Sequence, residues 1–174
     1  YNNLERLCGT GLLTMKKLTE GEIQSLVRKY LIKNRFRLVS RTLDGQPLHY
    51  RVEVTSPPEF KIPDLVAVKA NKVLVFEEKI RYSDLFKKEG SDGISDVEKL
   101  VFFLKNKQAR SEFKKLVTNT GLSVKNPSVV GAFASLKAVN RDVDAIPPDF
   151  VFIAIGISSS GFSVELCQDG KLLY

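Results

Sequence analysis

Apolar positions along the chain change period several times, and each change marks an element. Ile23, Leu26, Val27, Tyr30 and Leu31 recur at helical spacing and define one stripe, which predicts an amphipathic helix over residues 19–34. Thr19 is placed as its N-cap, and Glu20 and Glu22 fall in the first turn, where the helix dipole favours acids. Two strand-like runs follow, at about 36–43 and 48–54, separated by Asp44-Gly45-Gln46-Pro47. An Asp-Gly pair between such runs predicts a hairpin.

Ser56-Pro57-Pro58 interrupts this pattern before Ile62-Pro63-Asp64-Leu65-Val66-Ala67-Val68. Proline fits only the beginning of a strand, so Pro63 sets the start of one. Lys69-Ala70-Asn71 then turns the chain into Lys72-Val73-Leu74-Val75-Phe76-Glu77-Glu78-Lys79, giving a tight antiparallel hairpin of residues 62–69 with 72–80. Val73 to Phe76 are apolar without alternation, which predicts a strand buried on both faces.

Residues 81–94 are polar and glycine-containing, and are expected to form a mobile loop. Ser95 opens a second helix, with Glu98 three positions on completing a capping box. Val97, Leu100, Val101 and Leu104 form its inner face, and helix resumes through Phe113, Leu116 and Val117. Further strands are predicted at about 128–136, 149–157 and 162–167, with Asp169-Gly170 as a closing turn before Lys171 to Tyr174. The order helix, strands, helix, strands has no alternating βαβ pattern. It predicts an α+β fold, an α/β sandwich with a mixed or largely antiparallel sheet flanked by helices.

Composition narrows the class. With 174 residues, the chain suits a single domain, taken here as residues 15–174. Residues 1–14, ahead of the single methionine Met15, are expected to be an N-terminal extension or a remnant preceding a natural start. No run approaches the roughly 18 apolar residues of a membrane helix. Cys8 and Cys167 lie near opposite ends and His49 is the single histidine, so neither a disulfide framework nor a zinc site is expected, and the setting is read as intracellular. His49, in a predicted strand, is read as structural or surface. The net charge of +7 suits a polyanionic partner, because phosphate neutralisation releases counterions.

Candidate chemistry is concentrated between Ile62 and Lys79. Side chains alternate along a strand, so Glu77 and Lys79 share a face while Glu78 points to the other. The hairpin brings that strand end back beside Asp64, gathering two carboxylates and one ammonium at one end of the sheet. Charges entering a buried strand must be paired or must bind something. A divalent cation is the simplest partner: Mg²⁺ takes oxygen ligands, here Asp64, Glu77 and the Glu78 backbone carbonyl. Mn²⁺ is expected to substitute for it. Other signatures are missing; the sequence contains no GxxxxGK, GxGxxG or HExxH motif.

Pro63-Asp64 followed by Glu77-Glu78-Lys79 resembles the signature of the PD-(D/E)XK nuclease superfamily, and the element order over residues 19–136 is similar to its restriction-endonuclease-like core. Among its branches, the early helix and the spacing are most similar to archaeal Holliday-junction resolvases and to virus or mobile-element nucleases. The resemblance implies a metal-dependent endonuclease acting on DNA. In that mechanism the cation would bind the scissile phosphate and lower the pKa of a water. Lys79 would orient the attacking water and offset charge on the phosphoryl oxygens. It also implies a glutamate on the first helix; Glu20 lies toward the buried stripe and Glu22 away from it, so Glu20 is the expected residue. DNA would be held by its phosphate backbone, with Arg81, Lys87, Lys88 and Lys99 as contacts, and a junction-cutting enzyme would be a homodimer. Restriction, repair or mobile-element cutting of other DNA, and a catalytically silent nucleic-acid-binding module of the same fold, are the competing expectations.

Overall fold

In the computed structural model, residues 18–54, 56–88, 93–137, 146–158 and 161–169 are described. The expected extension at 1–14, the last part of the closing turn and the residues after it lie outside them.

The first helix, α1 (Glu20–Lys33), begins at Thr19 with a complete capping box. The Thr19 side chain accepts from the Glu22 amide, and the Glu22 carboxylate accepts from the Thr19 backbone. Its buried face is Ile23, Val27 and Leu31, with Leu26 and Tyr30 packed beside them, which is the expected stripe. The next elements are β1 (Arg37–Val39), β2 (Tyr50–Val52), β3 (Glu59–Lys61), β4 (Leu65–Lys69) and β5 (Lys72–Glu78). A 3-10 turn (Tyr82–Phe86) leads to α2 (Asp96–Lys105) and α3 (Lys107–Thr118), followed by β6 (Ser128–Leu136), β7 (Val151–Ser158) and β8 (Gly161–Asp169).

Six strands form one mixed sheet in the order β1-β4-β5-β6-β7-β8, and β2 with β3 form a separate pair. The fold is α+β, as expected. Strands β5, β6 and β7 run parallel, and the flanking pairs are antiparallel. A parallel neighbour needs a crossover, and α2–α3 supply it between β5 and β6. The chain therefore does contain one βαβ unit, which the order of elements alone did not indicate.

The central hairpin matches expectation. Leu65 pairs with Phe76 and Lys69 with Lys72 across the turn at Ala70-Asn71. On β5, Leu74 and Phe76 face the core under α1, while Val73 and Val75 face the core under α2 and α3. A strand buried on both faces is apolar throughout for that reason.

Three expectations are corrected. The Asp44-Gly45 turn exists, with Gly45 at φ +85° and an isolated bridge between Arg41 and Pro47, but its arms diverge. β1 pairs instead with the distant β4, and β2 with the adjacent β3. Residues 81–94 are not wholly a loop: the 3-10 turn buries Tyr82 and Leu85, and Tyr82 meets Phe152 edge-on at 5.4 Å. The strand β3 was not foreseen. Between α2 and α3 the helix stops at Asn106, whose side chain caps the next helix by accepting from the Ala109 amide at 2.9 Å. Among the described residues, no helix is long and apolar enough to cross a membrane.

Candidate active site

Asp64 stands immediately before β4, at the end of the sheet where β5 finishes. Its backbone amide donates to the Phe76 carbonyl at 3.1 Å, continuing the ladder one step past the strand. Its carboxylate bends across the end of β5 and accepts from the Glu78 amide, 2.8 Å from Oδ2. From the other side, Gln24 of α1 donates its side-chain amide to the Asp64 carbonyl at 3.0 Å. Asp64 is thus exposed to solvent yet fixed in orientation by β5 and α1. The bulk of protein around it raises its carboxyl above the usual range, although the Glu78 amide, Lys61 and Lys79 act in the opposite direction.

Glu77 and Glu78 point to opposite faces of β5. Glu77 lies under the small β2–β3 sheet and is 1% exposed. That sheet pairs Tyr50 directly with Lys61, and the pair delivers both side chains to the same carboxylate. The Tyr50 hydroxyl donates to Glu77 Oε1 and the Lys61 ammonium meets Oε2, each at 2.8 Å. Tyr50 is itself positioned by packing on Phe103 of α2, with ring centroids 4.7 Å apart. Burial pushes the Glu77 carboxyl up to about 7, and Asp64 adds to the effect; Lys61 and Tyr50 only partly offset it.

Asp96 connects the two lysines. It is the first residue of α2, and its carboxylate oxygens meet Lys61 Nζ at 2.5 Å and Lys79 Nζ at 2.9 Å. Burial opposes charge on all three groups, but the ion pairs outweigh it: both ammonium pKa values are raised and the Asp96 carboxyl is lowered. A continuous chain of contacts therefore runs Tyr50–Glu77–Lys61–Asp96–Lys79. Lys79 is anchored at its backbone as well, donating from its amide to the Ala134 carbonyl of β6 at 3.0 Å.

Glu78 faces α1. It is 6% exposed, and neither carboxylate oxygen has a hydrogen-bond partner. Burial and the nearby Asp64 raise its carboxyl to about 7, partly offset by Arg28 and Gln24 of α1. The Gln24 amide is directed at the Asp64 carbonyl at 3.0 Å, yet lies close enough to Glu78 to favour its charged form. Asp64, Glu77, Glu78 and Asp96 together set four carboxylates against the two ammonium groups of Lys61 and Lys79. These carboxyl groups, two of them raised to about 7, supply the oxygen ligands a divalent cation takes. Among the described residues, no three His, Cys, Asp or Glu side chains are grouped to hold a metal by themselves, so a cation here would draw on two carboxylates plus carbonyl or water oxygens.

Asp64, Glu77, Glu78 and Lys79 are brought to one place, at the end of β5. Glu20 is exposed in the first turn of α1, one turn before Gln24, and Gln24 is the α1 residue in contact with Asp64. Arg81 and Lys87 are exposed beside the 3-10 turn, and Lys88 lies 3.8 Å from Glu98. Lys99 is engaged with Glu59 of β3 at 3.4 Å, its side chain only 14% exposed. His49 stacks edge-on against Phe60, with its Nδ1 3.1 Å from the Pro47 carbonyl, as a structural or surface residue would. Sequence reasoning missed Tyr50, Lys61, Asp96 and Gln24. Lys61 carried one signal, standing three residues before Asp64 between the apolar Phe60 and Ile62. No family model, curated protein or solved structure matches the chain.

Proposed function

We propose that this protein is a metal-dependent nuclease that hydrolyses phosphodiester bonds in DNA, with its site at the end of β5. One observation carries the reading. Asp64 is fixed by hydrogen bonding across the end of a buried strand that itself ends in Glu77, Glu78 and Lys79, so carboxylates and an ammonium converge where a structural sheet would place apolar groups. The element order, with a helix contributing Gln24 to the same place, accords with the PD-(D/E)XK resemblance.

A Mg²⁺ ion bound at Asp64 and the end of β5 would supply Lewis-acid stabilisation of the scissile phosphate, with Mn²⁺ as a substitute. Lys79, steered by Asp96, would place its ammonium against a phosphoryl oxygen as charge grows there. Lys61 would hold Glu77 in place. Gln24 would hold the Asp64 backbone so that its carboxylate faces the phosphate. DNA would be gripped by its backbone, through the exposed Arg81 and Lys87, in an intracellular setting. Two such sites in a homodimer would suit a four-way junction, whose symmetry is two-fold.

The test is cleavage of a four-way junction, a linear duplex and single-stranded DNA, each with Mg²⁺ and with EDTA. Asp64→Asn and Lys79→Ala should each lower the cleavage rate at least ~100-fold, the range for losing a group that acts on the transition state. Folding and DNA binding should be retained. Near-wild-type cutting by either variant would reject the assignment. A second reading, a silent nucleic-acid-binding module, rests on the closed ion pairs of Lys79 with Asp96 and Lys61 with Glu77. It predicts DNA binding with no cutting of any of the three substrates.

A further inference from the structure

Two adjacent glutamates stand at the end of β5, and their surroundings differ in a way that separates their roles. Both oxygens of Glu77 are already engaged, one by the Tyr50 hydroxyl and the other by the Lys61 ammonium. A cation arriving there would have to displace a bound ammonium from a group that is 1% exposed. Glu78 is in the opposite position. It is also buried, at 6% exposed, but neither of its oxygens is satisfied. Folded proteins leave few buried polar groups without a partner, and a carboxylate is among the costliest to leave so. Such a group calls for a ligand.

The neighbours of Glu78 indicate which ligand. Its own backbone amide orients Asp64, so the two carboxylates belong to one strand end and raise each other's cost of ionisation. Gln24 approaches from α1 and is fixed on the Asp64 carbonyl at 3.0 Å. Arg28 of α1 is exposed and acts on Glu78 without a hydrogen bond to it, whereas Lys61 and Lys79 act on Asp64. Two carboxylates at one strand end, with no cation hydrogen-bonded to Glu78, offer oxygen ligands of the kind a hard divalent ion takes.

We infer that the side chain of Glu78, reaching the end of β5 from the α1 side, forms the divalent-cation site there with Asp64, and that Glu77 instead holds Lys61. The inference rests on the nuclease reading for what the cation does, whereas cation binding can be measured without DNA.

The experiment titrates Mn²⁺ alone into the full chain by calorimetry, and follows thermal melting with and without Mn²⁺. The wild type, Glu78→Gln, Glu78→Ala, Glu77→Gln and Asp64→Asn are compared. A ligand that binds only the folded state raises the melting temperature, which gives a second readout. Glu78→Gln, Glu78→Ala and Asp64→Asn should weaken Mn²⁺ binding at least ~10-fold, because each removes one of two charged ligands. They should also lose the Mn²⁺-dependent rise in melting temperature. Glu77→Gln should bind Mn²⁺ like the wild type. Without Mn²⁺, Glu78→Gln should melt at or above the wild type, since it removes an unpaired buried charge; that separates lost binding from lost folding. The inference falls if Glu78→Gln binds like the wild type, if Glu77→Gln loses binding as fully, or if the wild type takes up no Mn²⁺. Mn²⁺-dependent DNA cutting by an unimpaired Glu78→Gln variant would reject the role of Glu78 while the nuclease reading stands. Mn²⁺ bound through Glu78 by a chain that cuts no DNA would do the reverse.

Discussion

Adjacent residues rarely differ as much in their surroundings as Glu77 and Glu78 do. The period-two geometry of a strand sends one side chain under the β2–β3 pair and the other under α1. Their shared feature is a carboxyl pushed up to about 7 by burial, against an ordinary 4.5, with Asp64 contributing in both cases. Because the folded state then holds protons more tightly than the unfolded chain, the stability gained is fully present below about 4.5. It is lost as pH rises through about 7. Each group can account for at most about 3 kcal/mol of that loss. The groups facing them are Lys61, Tyr50 and Asp64 around Glu77, and Arg28, Gln24 and Asp64 around Glu78; neither lysine loses its charge in this window. Without added metal, the melting temperature should therefore fall between pH 4.5 and 7.5, and Glu78→Gln should flatten that fall. Thermal melts across pH measure it, and a wild-type curve that rises through this range would contradict the prediction.

Elements whose signals are local are legible in the chain itself. The capping boxes at Thr19 and Ser95 lie within four residues, and the β4–β5 hairpin closes over two, so α1, α2 and the placement of Asp64 opposite the end of β5 follow directly. The β2–β3 pair does not, because a three-residue strand carries too little pattern and its register is set by packing on α2 and α3. With it went Tyr50 and Lys61, which make three of the four links from Tyr50 to Lys79. Asp96 escaped notice for a different reason: an acid at the start of a helix looks like a partner for the dipole, and only the tertiary fold shows it between two lysines. β6 makes a sharper demand on sequence than its strand pattern implied. A Cβ at Gly131 would lie 2.2 Å from the Phe150 ring and 2.9 Å from Leu104. Phe150 stacks on Phe133 with planes 3° apart, so it has little room to retreat. Gly131→Ala should cost about 1–3 kcal/mol in urea unfolding, as overpacking of a filled core does. An unchanged unfolding midpoint would show that Phe150 can swing aside.

Over the whole molecule, the balance is 27 basic side chains against 20 acidic, and their distribution matters more than the total. Some of the cations are engaged internally: Lys61 and Lys79 by Asp96, Lys99 by Glu59, Lys137 by Glu165. Arg81 and Lys87 are exposed next to the site, on the segment that leaves the end of β5. Under the proposed backbone contact with DNA, Arg81 and Lys99 should therefore behave differently, although sequence grouped them together. Each phosphate neutralised on a duplex contributes about −0.9 to the slope of log affinity against log salt. Arg81→Ala should flatten that slope by about 1 and weaken binding to all sequences alike. Lys99→Ala should leave the slope near the wild-type value and act instead through stability, since its ammonium and stem are held against β3. Binding isotherms on one duplex from about 50 to 200 mM salt separate the two kinds of cation. If Lys99→Ala flattens the slope as much as Arg81→Ala does, the phosphate-facing surface extends onto α2, and the contact surface drawn from exposure beside β5 is misplaced.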